Sequence, residues 1–276
     1  HRDLHSFPTR RSSDLTFTFT DHRSRTATAR FLNTTLQFEN SGADDRYHIS
    51  ILLEVSAISD LSLAHPLLIC NMDSDVDDTT RHGIIRGGKL SYASDYALWG
   101  TSLRCNSTGT GTDLYQFTYF PEDMDLTRYK RTVAFWLIWK TGLAITESFY
   151  PIRHYLDSAN LWDIKIVWTG TGNDFDITIT TKIAGVTVTD TKTVTMLVNT
   201  AHHLQFEIDP FTPQVKFFLD GTLSQTFTGI TVWPFWAAGY NCLKLEGDYW
   251  RIDSYAWFQG LKNNANFTPP TGPYAP

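Results

Sequence analysis

Leu204, Phe206 and Ile208 alternate with His203, Gln205 and Glu207, and beyond a proline-punctuated turn Val215, Phe217 and Leu219 repeat the alternation. A period of two belongs to a β-strand with one face on a core and the other in water, so the pair predicts a half-buried antiparallel hairpin whose polar set is solvated. Asp220-Gly221 follows. Both residue types accept the positive φ that a two-residue hairpin turn needs, and Leu223 to Phe227 is the predicted return strand. The same period runs through much of the chain. Val133, Phe135, Leu137 and Trp139 mark one face of a strand and Trp136 and Ile138 the other, so this segment is expected to be covered on both sides. Trp162, Ile164, Ile166 and Trp168 line the next, followed by Phe175, Ile177 and Ile179, by Val186 and Val188, and by Val194, Met196 and Val198. Trp250, in register with Ile252 and Phe258, is an expected core position. Upstream, Phe17 with Phe19, Leu36 with Phe38 and Ile49 through Val55 keep the period, and Leu67 to Cys70 is apolar on both faces, as in a central strand. No window of comparable length has a 3.6-residue apolar period. Short strands broken by Gly, Asn and Asp argue for an all-β fold, an antiparallel β-sandwich of the jelly-roll kind.

Residues 1–15 stand apart. HRDLHSFPTRRSSDL resembles, over its whole length, the conceptual translation of a short-read sequencing adapter, and is read as an assembly scar that is expected to be unstructured. The competing reading is a natural basic arm that touches nucleic acid through Arg2, Arg10 and Arg11. With such a leader the natural N-terminus is expected to be missing, so the lack of a signal peptide carries no information about secretion. The Ser/Thr/Gly-rich stretch TSLRCNSTGTGT at 101–112 is the expected internal boundary. Residues 16–112 are then N-terminal strands, either part of one enlarged sandwich or a truncated first copy, and 113–276 a sandwich domain.

Leaving out the leader's three basic and two acidic residues, the chain has 20 basic and 27 acidic residues, a net charge of −7. That balance suits a phosphate backbone poorly and argues against nucleic acid as a partner. Apolar residues form 42% of the chain and aromatics 14%, enough for a sizeable core. No run of eighteen apolar residues occurs, so no ordinary helical membrane span is expected. Cys70, Cys105 and Cys242 are an odd set with neither zinc nor C-x-x-C spacing; they read as isolated thiols in or near a β core, with one disulfide left open.

The hairpin ending in Asp220-Gly221, the strand Tyr249 to Phe258 carrying Ile252-Asp253, and the closing run Asn266-Phe267-Thr268-Pro269-Pro270-Thr271 together resemble a concanavalin A-like lectin/glucanase domain of the laminin G-like kind. The terminal run is similar to the tail of many such domains in virion and tail-associated proteins of bacterial viruses. The resemblance covers residues 113–273. Ser254 departs from it, standing where a second acidic residue is more usual, and so does the link Lys262 to Ala265, which lacks an aromatic residue. It implies a sandwich that recognises glycan at its edge and often holds calcium at its rim.

The glucanase branch of that superfamily uses paired carboxylates, Glu-x-Asp-x-x-Glu or Glu-x-Asp-x-Glu, because one must act as nucleophile and another as acid across the glycosidic bond. Glu207-Ile208-Asp209 matches the first half; Phe211 and Thr212 occupy the places of the other Glu. Glu207 and Asp209 are therefore weak catalytic candidates against the reading of a solvated strand face. A polysaccharide lyase needs Arg, His or Gln, and Tyr converging on one sheet, whereas Arg153, His154 and Tyr155 are adjacent and must alternate. Asp73, Asp75 and Asp77 place alternate carboxylates in one loop that could converge on Ca2+. Asp78 stands where a helix-loop-helix calcium loop has Gly, and Ile84 where it has its bidentate Glu, so a solvated acidic loop competes. Trp233 and Trp236 flank Pro234 in a predicted loop, with Tyr240 close behind; such rings can stack on the C–H faces of sugars, or else pack inward. The function expected is a carbohydrate-binding, lectin-like module that is not an enzyme, extracellular or on a virion, with a glycan and other virion proteins as partners. The alternatives are a structural virion or tail module without sugar binding, and a glycoside hydrolase or polysaccharide lyase.

Overall fold

The computed structural model describes main chain and side chains of residues 67–72, 90–105, 125–127, 129–142, 147–263 and 265–274, and the main chain alone of strand residues 16–20, 26–31, 37–40, 47–50, 53–58, 65–66, 84–86 and 112–117. All regular structure among them is β-strand, antiparallel throughout. Contacts divide the chain into two units, His1–Leu63 and Ala64–Pro276. The first holds β1 (Thr16–Thr20), β2 (Thr26–Phe31), β3 (Gln37–Asn40), β4 (Tyr47–Ser50) and β5 (Leu53–Ile58). Its sheets are β1-β2-β5 and the pair β3-β4.

The second unit contains β6 (His65–Cys70), β7 (Ile84–Arg86), β8 (Leu90–Ala93), β9 (Ser102–Cys105), β10 (Thr112–Phe117), β11 (Arg131–Trp139), β12 (Ser148–Asp157), β13 (Asn160–Trp168) and β14 (Asp174–Ile183). It continues with β15 (Val186–Thr195), β16 (His202–Asp209), β17 (Gln214–Leu219), β18 (Thr222–Phe227), β19 (Tyr240–Glu246) and β20 (Trp250–Gln259). One sheet has the order β15-β14-β13-β12-β19-β10-β7 and the other β18-β17-β16-β11-β20-β9-β8, with β6 also paired to β20. The chain is thus an all-β antiparallel sandwich. Contacts place a division at Leu63/Ala64, and beyond it β6 (His65–Cys70) pairs with Tyr255 to Gln259 of β20, in the same sheet as β8 and β9.

The core between the sheets is drawn largely from the positions that the alternation marks, with Val186 and Val188 of β15 left exposed. Phe135, Phe149, Phe175, Phe206, Trp250 and Tyr255 are completely buried. Phe135 meets Phe149 edge-on at 5.4 Å, and Trp139 meets Phe175 at 4.9 Å. Such pairs add about 0.5–1.5 kcal/mol each beyond the area they bury. Cys70, Cys105 and Cys242 are buried free thiols.

Two bulges redirect the alternation. In β20, Ser254 has φ 48° and the register against β11 shifts there. Trp250, Ile252, Tyr255 and Trp257 therefore face the core, while Ala256 and Phe258 join Ile69, Ala134 and Tyr274 in a second cluster. Phe258, expected in register with Trp250, is moved to the opposite face by this extra residue. In β12 a shift between Phe149 and Ile152 falls at Pro151.

Gly260 to Asn263 and Ala265 to Tyr274 lie as a strap across the outer face of the β11–β16–β20 sheet. Lys262 N–H donates to Thr132 Oγ1 (3.0 Å), Asn263 N–H to Glu207 Oε1 (2.7 Å), Phe267 N–H to Gly221 O (2.8 Å) and Tyr274 N–H to Ser254 Oγ (2.8 Å). The Lys262 ammonium lies 4.1 Å from the Phe258 ring centroid and 4.7 Å from that of Tyr274. His203, Gln205 and Glu207 do point away from the core, but the strap buries them, so the expectation of a solvated polar face fails and every residue of β16 is buried. Asp220 and Gly221 take φ 50° and 78°, the turn the dipeptide predicts.

Candidate functional site

The five residues of the sequence-derived candidate sets that are described do not come together. Glu207 accepts hydrogen bonds from Gln205 Nε2 (2.9 Å) and Asn263 N, and is 1% exposed. Asp209 caps the turn after β16, accepting from Phe211 N (3.0 Å) and Thr212 Oγ1 (2.7 Å), with Lys130 Nζ at 2.7 Å. Burial alone would raise its pKa, but these donors hold it below the ordinary value. Both carboxylates are thus engaged in holding the strap and a turn. Trp233, expected in an open loop, is 5% exposed and meets Trp162 edge-on at 5.8 Å inside the core. Trp236 lies parallel to His154 at 5.7 Å, and Phe235 does so at 5.2 Å. His154 Nε2 accepts from Trp236 N–H, so Nδ1 carries the proton given to Asn241 Oδ1 (3.1 Å). That ring is the inward anchor of the loop, and Trp236 is partly covered by it. Asp73, Asp75 and Asp77 lie outside the described residues, as do residues 1–15. No cluster able to hold a metal ion occurs among the described residues.

Tyr240 leads to a different surface. On the outer face of the β13–β12–β19 sheet it stands opposite Tyr155, with ring centroids 5.6 Å apart. Arg153 shares that face: its Cζ is 4.9 Å from the Tyr155 centroid and 5.5 Å from that of Tyr150. His154, between them in sequence, faces inward, as alternation requires. Tyr150 and Arg153 are three residues apart and would face opposite ways in a regular strand; the bulge at Pro151 aligns them. Lys244 Nζ and Lys165 Nζ approach the Tyr150 ring at 4.7 and 5.9 Å. The rings hold the three cations in place, at about 0.5–1 kcal/mol per contact where water is near.

Below this layer the carboxylates differ. Glu246 is paired with Lys244 (2.5 Å) and accepts from the Ser148 hydroxyl. Asp163, directly across from Arg153, has its Oδ2 3.7 Å from Arg153 Nε, too far for a hydrogen bond. Burial pushes its carboxyl up to about 6, against the pull of Arg153. Burial likewise raises Tyr150 and Tyr240, and pushes Cys242, beneath Arg153, up to about 12. A depressed thiol pKa is what reactive cysteines share, so Cys242 is inert packing. Elsewhere among the described residues an apolar groove is lined by Ile183, Val186, Val188, Ile230 and Val232, with Thr181 and Thr231 and without a charged side chain.

Sequence reasoning named Tyr240 and had Arg153, His154 and Tyr155 alternate, and it did not single out Tyr150, Asp163, Lys165 or Lys244. One signal was present. A proline inside a strand pattern, Tyr150-Pro151-Ile152, marks a bulge.

No family model matches the chain, and no curated protein does. Solved structures do. The binding domain of botulinum neurotoxin serotype D superposes with a TM-score of 0.53 at 9% identity, over 73% of this chain and 49% of that one. The binding domain of Paraclostridial Mosquitocidal Protein 1 gives 0.53 at 12%, over 74% and 50%. The binding domain of botulinum neurotoxin DC in complex with SialylT gives 0.50 at 9%, over 73% and 49%. The likeness is one of fold. The chain spans about half the length of these binding domains. Among the described residues no helix is long and apolar enough to cross a membrane.

Proposed function

We propose that this chain is a non-enzymatic carbohydrate-binding module of the concanavalin A-like, laminin G-like kind, displayed at a cell or virion surface, and that it binds glycan on the outer face of the β13–β12–β19 sheet. One observation carries this: Tyr155 and Tyr240 form an outward, half-buried aromatic pair with the Arg153 guanidinium against the Tyr155 ring. A sugar ring offers flat C–H faces to stack on phenols and hydroxyls for the flanking charged groups. Two further points support the reading. The carboxylates with glucanase-like spacing are engaged in the strap and a turn, and the botulinum neurotoxin DC binding domain, similar in fold, is in complex with SialylT. The site lies on a sheet face and not at the sandwich edge, because Trp233 packs into the core.

Replacing both rings, Tyr155→Ala with Tyr240→Ala, is expected to weaken binding to the best ligand on a glycan array at least about tenfold while the thermal transition stays cooperative. Unchanged binding in the folded double variant would remove the site assignment.

A further inference from the structure

Among the described residues the charges on the tyrosine face do not balance. Glu246 is satisfied by Lys244 and Ser148. Among the described residues Arg153 and Lys165 then face one remaining carboxylate, Asp163, which meets neither well. The Arg153 Nε is buried with no hydrogen-bond partner, and its two terminal nitrogens make no hydrogen bond among the described residues. Lys165 likewise has no ion pair among them. A guanidinium is a planar fork of donors whose geometry matches a carboxylate two-to-two. Here the fork is held in place by Tyr150 and Tyr155 while its donating end lacks a partner, beside the rings assigned to the sugar.

We propose that the ligand of this face is an acidic saccharide whose carboxylate is received by the Arg153 fork, with Lys165 as the second cation. The inference rests on the glycan-binding reading above and names the class of sugar. Asp163 is the competitor built into the site. When ionised it draws on Arg153 and repels an incoming carboxylate; when protonated it does neither. The charged and titratable groups that face it are Arg153 and Tyr150 from β12, Lys165 from its own strand, and Cys242 and Lys244 from β19, while β14 offers the Thr180 hydroxyl. Burial opposes its ionisation and places the change near pH 6, whereas a sugar carboxylate stays charged throughout that range. Acidic ligands are therefore held more tightly in mildly acidic solution.

The test is calorimetric titration of the full chain with a sialic acid-terminated trisaccharide, a uronic acid-containing disaccharide and the neutral parent of each, at about pH 5 and about pH 7.5. At least one acidic sugar is expected to bind about tenfold or more tightly than its neutral parent. Arg153→Gln should remove that preference, and Arg153→Lys, which keeps the charge and much of the packing but loses the fork, should remove most of it. The preference should shrink severalfold from the lower to the higher pH, and Asp163→Asn should hold it at the low-pH value throughout. Equal affinity for acidic and neutral sugars, or a preference unchanged in a folded Arg153→Gln protein, would overturn the carboxylate assignment and leave the glycan site standing. Full preference in Arg153→Lys would overturn the two-pronged seat, and a preference independent of pH would overturn the part given to Asp163. If no sugar of any kind binds, the platform reading itself fails.

Discussion

His203 sits on the face that alternation assigns to water, yet it is fully buried, with Tyr274 Oη 2.6 Å from Nε2 and with Trp136 and Phe267 edge-on to its ring. Desolvation, reinforced by Lys262, brings its pKa down to about 4. An unfolded chain would hold that proton up to about pH 6.5, so between the two values the unfolded state binds more protons and stability rises with pH. The contribution is fully present above about pH 6.5 and is lost as pH falls toward 4; the shift corresponds to about 3 kcal/mol. Urea midpoints measured from pH 7 to pH 4.5 should fall in wild type, and that fall should flatten in His203→Gln. The same residue shows where sequence reading stops. Its direction was legible from the period of two, but its burial depends on a strap some sixty residues downstream that no local pattern announces. Trp233 is the opposite case: the residues around it read as a loop, which they are, but a loop can turn one ring into the core.

At the scale of elements, the strap and the β17–β18 turn hold each other. Gly221 has φ 78°, and a Cβ placed on it would overlap the Phe267 carbonyl oxygen, the residue whose N–H bonds to Gly221 O. Asn266 Oδ1 accepts from Leu223 N–H on the same hairpin (2.8 Å). Gly221→Ala should therefore cost more than the roughly 1 kcal/mol of left-handed backbone strain, reaching about 2–4 kcal/mol as the strap is displaced and its hydrogen bonds are lost. Denaturant titration checks the size, and faster amide exchange at residues 203–207 checks the cause. Strand existence and the hairpin were readable from alternation and turn chemistry. Which face each side chain meets was readable only where no bulge intervenes: Pro151 advertises one, whereas Ser254, a residue common in any strand, hides the other.

At the scale of the whole molecule, contacts separate His1–Leu63 from Ala64–Pro276, and both sheets of the sandwich belong to the second unit. A chain beginning at Ala64 is expected to unfold in a single cooperative transition and to keep the sugar affinity of the full chain; a broad, non-cooperative melt would show that the sandwich needs the first unit. The all-β class was legible because it is written many times over, in every alternating segment. The pairing of β6 with β20 was not, since pairing across so long a separation leaves no mark on either segment alone.

That separation governs the order of assembly. β19 lies between β12 and β10, and β20 lies between β11 and the strands β9 and β6. Each sheet thus consists of an early part and a middle part joined only by one of the last two strands. During synthesis neither sheet can close until the chain beyond Tyr240 has left the ribosome, and until then both carry unpaired edges beside exposed core faces. Pairings of this range place folding in the slow regime of about milliseconds to seconds, with aggregation as the competing fate. A nascent chain stalled before Tyr240 would be a client for chaperones, and one released after Gln259 a folded sandwich awaiting only its strap.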